Sequence, residues 1–192
     1  MSEKTHSTDE PAIRTLATRE VYRNAWLRLH EDRVVRANGR EGIYGWVDKD
    51  DCAIILPIDG DRIWLVEQYR YTIRERVWEL PQGGWERSDV DPEELARGEL
   101  REETGLRAGR MTPLGFFWVA YGFARQRQFV YLAEELTQGE RDLDEEEQDL
   151  IVADFSISDF ENMLADGRIK DSSALSAWTL YQTYLKRNKK GE

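Results

Sequence analysis

Residues 91–106 read DPEELARGELREETGL, and they leave the backbone little choice. Asp91 suits an N-cap, Pro92 fits the first helical position, and Glu94 places an acid at the third. Gly105 then suits the left-handed residue that ends a helix. This punctuation predicts a helix over 92–104. On that helix Glu99, Glu102 and Glu103 lie at i, i+3 and i+4, which puts all three carboxylates on one face with Cβ atoms within about 6 Å. Like charges so close destabilise a helix by about 0.2–0.5 kcal/mol per pair. A divalent cation would turn that repulsion into chelation. A solvated acidic face balanced by Arg97 and Arg101 is the other reading of the same residues. Gly98 is the anomaly, because glycine in a helix interior costs about 1 kcal/mol relative to alanine. Close packing of a strand or loop against the helix would account for it.

The rest of the chain predicts strands around that helix. CAIILPI (52–58) and RIWLVEQYR (62–70) flank Asp59-Gly60-Asp61, and Asp-Gly between apolar runs is a strong hairpin signal. VYRNAWLRLHEDRVV and GIYGWV show strand-like alternation, VWELPQGGW reads as a strand entering a glycine loop, and MTPLGFFWVAYGF and RQFVYLAEEL read as strands. Ser158 and Glu161 form a second capping box, with Gly167 ending that helix. Leu175, Trp178, Tyr181 and Leu185 recur at helical spacing near 172–187. Strands flanked by a few helices give an α/β or α+β sandwich. The organisation expected is a disordered start (1–12), an N-terminal β-region (13–50) and a main domain (51–188).

Composition narrows the chemistry. Acids outnumber bases 38 to 27, a net charge of -11, which repels phosphate backbones and argues against a nucleic-acid partner. The single cysteine, Cys52, forms no intrachain disulfide and sits in an apolar run as a small core residue. No apolar run approaches the roughly 20 residues of a membrane helix, and no signal peptide opens the chain, so a cytoplasmic protein is expected. His6 and His30 are the only histidines, so a His/Cys zinc cluster is excluded by arithmetic and a serine–histidine triad is disfavoured. Carboxylates must do the chemistry, and any metal must be a hard, oxygen-ligated one.

Taken in order, LPQGG, the capped helix, the glutamate trio and the closing EETGL resemble the Nudix box, G-x5-E-x7-R-E-U-x-E-E-x-G-U, where U is apolar. The second half matches over Glu99–Leu106. VEQYR, ELPQGG and GRIKDSSALSAWTL look like the ADP-ribose and ADP-sugar pyrophosphatase branch, so the likeness extends over about 15–187. The first half of the box departs from the pattern. Counting from Gly83 reaches Asp89 one residue out of step, counting from Gly84 reaches Val90, and Gly98 stands where the family has the arginine that orients the metal-binding glutamates. Either Arg97 or Arg101 takes that role, or the box is degenerate and the protein binds without cleaving.

The resemblance implies a mixed β-sheet sandwiched between helices. It also implies hydrolysis of a nucleoside diphosphate linked to another moiety, such as ADP-ribose or another nucleotide sugar. Mg²⁺ is the implied cofactor, with Mn²⁺ as an alternative, held by Glu99, Glu102, Glu103 and the main-chain carbonyl of Gln82. Glu102 is counted among the catalytic residues, and Glu146 and Glu147, in the acidic run GERDLDEEEQD, are candidates for the general base. Arg70 would meet a phosphate and Glu79 would support the site. Tyr121, in AYGFARQ, would stack on a base ahead of Trp85, Phe117 and Trp118, whose alternative is simple core packing. AYGFARQ lacks the proline usual in ADP-ribose hydrolases. The branch further implies a homodimer that exchanges its N-terminal strands. Cleavage of capped RNA ends is disfavoured by the charge and by the lack of a basic face with interleaved aromatics.

Overall fold

The structure, a computed structural model, describes residues 11–84, 90–141 and 149–189. In chain order its elements are β1 (Ile13–Arg23), β2 (Arg28–Arg36), β3 (Glu41–Asp48), β4 (Cys52–Asp59), β5 (Arg62–Arg70), β6 (Glu75–Glu79) and β7 (Gln82–Gly83). There follow α1 (Pro92–Thr104), β8 (Leu106–Trp118), β9 (Ala124–Arg125), β10 (Arg127–Gln138), β11 (Ile151–Ser156), α2 (Ile157–Ala165) and α3 (Ser172–Asn188). Two compact units emerge, one comprising the chain through Lys49 with Ala120–Arg125, the other Asp50–Val119 with the chain from Gln126 onward.

The first unit is one sheet in the order β1-β2-β3-β9. Asn24 makes the turn between β1 and β2 by accepting the amides of Trp26 and Leu27, each at 2.9 Å. β1 is exposed along its whole length.

The second unit is a mixed sheet in the order β11-β5-β4-β10-β8, with β6 on β5 and β7 on β4. β10 runs parallel to β4 and antiparallel to β8, so it is paired along both edges. The continuous apolar run of β4 follows from cover on both faces. Ala53 and Ile55 pack with Leu95, Ala96 and Leu100 of α1, while Ile54, Leu56 and Ile58 pack with Phe160 and Met163 of α2 and Trp178 of α3. The architecture is therefore the expected helix–sheet–helix α/β sandwich. Gly60 turns the β4–β5 hairpin with φ 59°, as the Asp-Gly signal requires. Among the described residues no helix is long and apolar enough to cross a membrane.

Two local expectations shift. The N-cap of α2 is Ser156 rather than Ser158: its Oγ accepts the Asp159 amide at 3.0 Å and donates to the Asp159 carboxylate at 2.6 Å. On α3, capped by Asp171, the inner face runs through Ala174, Ala177 and Trp178, leaving Leu175 45% exposed at its margin.

Candidate active site

Helix α1 forms where its start and stop signals place it. Asp91 accepts the amides of Glu93 and Glu94 at 2.8 and 3.4 Å, and Gly105, at φ 76°, returns its N–H to the Arg101 carbonyl. The helix buries Leu95, Ala96 and Leu100 against the sheet, which sets its rotation. That rotation carries two of the three glutamates inward. Glu99 is 7% exposed and Glu103 fully buried, while Glu102 remains partly accessible. Gly98 is buried on the same helix.

The loop after β6 closes over this face. The Gln82 amide donates to Glu103 Oε2 at 3.0 Å. Gly83 lies so close to Glu99 that an added Cβ would overlap its carboxylate. Glycine is needed here because the backbone itself lies against the acid. Gly83→Ala should leave the fold intact, since the carboxylate end of Glu99 can swing away. A divalent cation held by Glu99 would then bind about 10–100-fold more weakly, the usual effect of disturbing a ligand's support. Calorimetric titration with Mg²⁺ reads this directly, and unchanged affinity would separate Glu99 from the metal.

A chain of side-chain hydrogen bonds backs the loop. Arg70 Nε donates to Glu79 Oε1 at 2.9 Å, and Arg70 Nη2 closes a short ion pair with Glu79 Oε2. Gln82 Nε2 donates to the same Glu79 oxygen at 3.1 Å, and Gln128 Nε2 donates to Gln82 Oε1 at 2.7 Å. Burial works against the Arg70 charge, but the hydrogen bond and attraction of Glu79, with smaller contributions from Glu103 and Asp171, raise its pKa above the usual value. Burial conversely raises the Asp171 carboxyl, against the amides of Ala174 and Ser173 that favour its charge.

The two arginines beside Gly98 differ in reach. Arg101 donates to Glu102 Oε1 at 2.7 Å, whereas Arg97 spans from Glu93 to the Ala108 carbonyl, at 2.9 Å each. Arg141 ties the C-terminal end of α1 to the far side of the acidic run, donating to the carbonyls of Glu103 and Leu150 at 3.0 Å each. Glu146, Glu147 and Trp85 lie outside the described residues. Tyr121 is 84% exposed and belongs to the unit of the N-terminal sheet. Phe117 packs against the α2/α3 core, while Trp118 is half exposed. Gln128 and Arg141 were not singled out by sequence reasoning. The one trace of Gln128 is a polar residue opening the apolar run FVYLA.

Among the described residues, no group of three or more His, Cys, Asp or Glu is gathered as a ready-made metal cluster. The donor set nonetheless suits a hard cation. Two carboxylates buried four residues apart on one helix, with a third beside them and glycine backbone closing over, form an acidic cradle without sulfur or imidazole.

A family model described as the NUDIX domain matches residues 48–177, most of the chain and all of this site. The chain belongs to the Nudix family. A second model, the nucleoside diphosphate sugar hydrolase N-terminal domain, matches residues 13–47 of this Nudix protein. An ADP-ribose pyrophosphatase of Mycobacterium tuberculosis (strain ATCC 25618 / H37Rv) is 31% identical over 174 residues, covering 87% of this chain and 82% of that protein. One of Bacillus subtilis (strain 168) is 31% identical over 137 residues, covering 70% and 74%. A crystal structure of an ADP compounds hydrolase superposes with a TM-score of 0.83 over 95% of this chain and 98% of that one; at 19% identity this speaks to the shared Nudix fold. The protein is a Nudix hydrolase.

Proposed function

We propose that this Nudix hydrolase cleaves the pyrophosphate bond of ADP-ribose or another nucleotide sugar, giving a nucleoside monophosphate and a sugar phosphate. The observation that carries the reading is the buried Glu99/Glu103 face closed by Gln82 and Gly83, in a chain whose first strands match a nucleoside diphosphate sugar hydrolase domain. The ADP-ribose pyrophosphatases it resembles support the choice of substrate.

Water is the nucleophile. Its oxygen bonds to one phosphorus, the bridging oxygen leaves with the other phosphate, and the water proton passes to a carboxylate. Glu146 and Glu147 are the candidates for that base, with Arg141 tethering the acidic run to α1 at the Glu103 carbonyl. Glu99, Glu102, Glu103 and the Gln82 carbonyl would hold Mg²⁺, with Mn²⁺ as the alternative. When bound, the cation neutralises the pyrophosphate charge that otherwise repels an incoming nucleophile. Arg70, raised in pKa and partly accessible, offers a fixed positive charge to a phosphate oxygen while Glu79 holds its guanidinium. Tyr121 offers an exposed ring for stacking on a base. The fully exposed β1 fits pairing of N-terminal strands in a homodimer, the single cysteine fits a reducing cytoplasm, and the acidic balance fits an enzyme without nucleic-acid partners.

The deciding experiment is turnover of a panel (ADP-ribose, ADP-glucose, UDP-glucose, GDP-mannose and dinucleotides) with Mg²⁺ and with chelator. Metal-dependent release of AMP and ribose phosphate from ADP-ribose is expected. Thermal stabilisation by these ligands without any product would instead make the chain a nucleotide-binding module, with Gly98 in place of the box arginine as the reason.

A further inference from the structure

We infer that Gln128 is a positioning residue for the cation site, acting through Gln82 in place of the arginine that Gly98 lacks. The polarity of the side-chain relay is fixed by its charged end. Glu79, ion-paired with Arg70, only accepts, so Gln82 must present its amide nitrogen to Glu79 and its oxygen to Gln128. Gln128 must then present its own nitrogen, which stands 2.7 Å from Gln82 Oε1. Every donor points the same way, from Gln128 through Gln82 to Glu79. The Gln128 oxygen is buried and accepts nothing among the described residues, so the residue is held there for its donor.

Gln82 needs such a hold. Its strand, β7, is two residues long and meets β4 at only two positions. Yet its main-chain N–H orients Glu103, and the next residue lies against Glu99. Gln128, in contrast, is 3% exposed on β10, whose neighbours β4 and β8 pair it along both edges. The relay thus transfers the rigidity of a strand paired on both edges to a short loop, and from there to two carboxylates. Arg101 and Arg97 leave that task open, since Arg101 holds Glu102 and Arg97 is spent on Glu93 and Ala108.

This role, which rests on the metal-dependent reading above, is tested with Gln128→Met, which keeps the volume and removes the donor. Gln82→Met interrupts the same relay at its centre, in the two-residue strand β7 outside the apolar core. Calorimetric titration of Mg²⁺ onto each protein without substrate should show affinity lowered about tenfold relative to wild type, and kcat lowered by a similar factor, with KM little changed. Gln128→Glu should fail like Gln128→Met, because a carboxylate cannot donate to Gln82 Oε1. Variants that melt earlier yet bind Mg²⁺ as wild type does would reduce Gln128 to an ordinary packing residue and overturn the inference. A wild-type protein that neither binds Mg²⁺ nor hydrolyses the panel would sink the hydrolase reading and this role with it, whereas active wild type with indifferent variants would sink the relay alone.

Discussion

Glu103→Gln is expected to abolish metal-dependent turnover, with kcat falling by on the order of 10²–10³-fold or more, while the fold persists. Glu103 is fully buried, and its Oε2 accepts the Gln82 amide. Glutamine keeps the shape and keeps an oxygen for that amide, so the loop and helix stay in place. What disappears is the negative charge that a hard cation requires. Turnover, Mg²⁺ titration and a thermal melt together separate the effects. Wild-type kcat in a folded variant would take Glu103 out of the metal site altogether.

The largest effect on stability is expected from Arg70→Met. Its partner Glu79 is 3% exposed, and methionine would leave that carboxylate buried with the neutral Gln82 amide as its remaining side-chain donor among the described residues. Removing one partner of a buried ion pair costs about 3–5 kcal/mol; Arg70 keeps 39% of its side-chain surface, which argues for the lower end. At about 2–4 °C per kcal/mol for a chain of this size, the melting temperature should drop by roughly 6–12 °C. The melt is recorded without nucleotide, so any phosphate contact of Arg70 does not contribute. Arg70→Lys should recover only part of the loss, because an ammonium cannot reproduce the two-nitrogen grip on Glu79. A drop of less than about 1 kcal/mol would mean that solvent reaches Glu79 in solution.

What sequence alone revealed divides along the range of the forces involved. The limits of α1 were legible to the residue because Asp91, Pro92 and Gly105 act within one turn of themselves. The β4–β5 turn was legible for the same reason. α2 was misplaced at its start because Ser156 and Ser158 each precede an acid by three residues, so both satisfy the capping pattern. Tertiary pairing decides between them: β11 stays on β5 through Ser156 opposite Arg62, and the helix begins immediately afterwards. On α3 the period was right and the phase slightly off, because the sheet it packs on selects alanines that carry little hydrophobic signal. The glutamate face was visible from spacing, but not which acids would be buried, since that depends on how α1 rolls onto Ala53 and Ile55. Gln128 was invisible, as its contact with Gln82 spans 46 positions and no local pattern announces it.

The interior place of β10, between β4 and β8, also dictates the order in which the molecule can mature. Strands β4 and β8 flank it in space, yet both precede it in the chain, and its parallel register joins Gln128 to Cys52 and Ala133 to Pro57. Such long-range parallel pairing is entropically slow to close. As the polypeptide leaves the ribosome, the glycine loop and the glutamate helix are already synthesised while the strand that joins the sheet is still missing. A nascent chain ending before residue 127 would contain the complete sequence motif and no working site. Competence arrives with β10 and the elements that follow it, not with the motif itself.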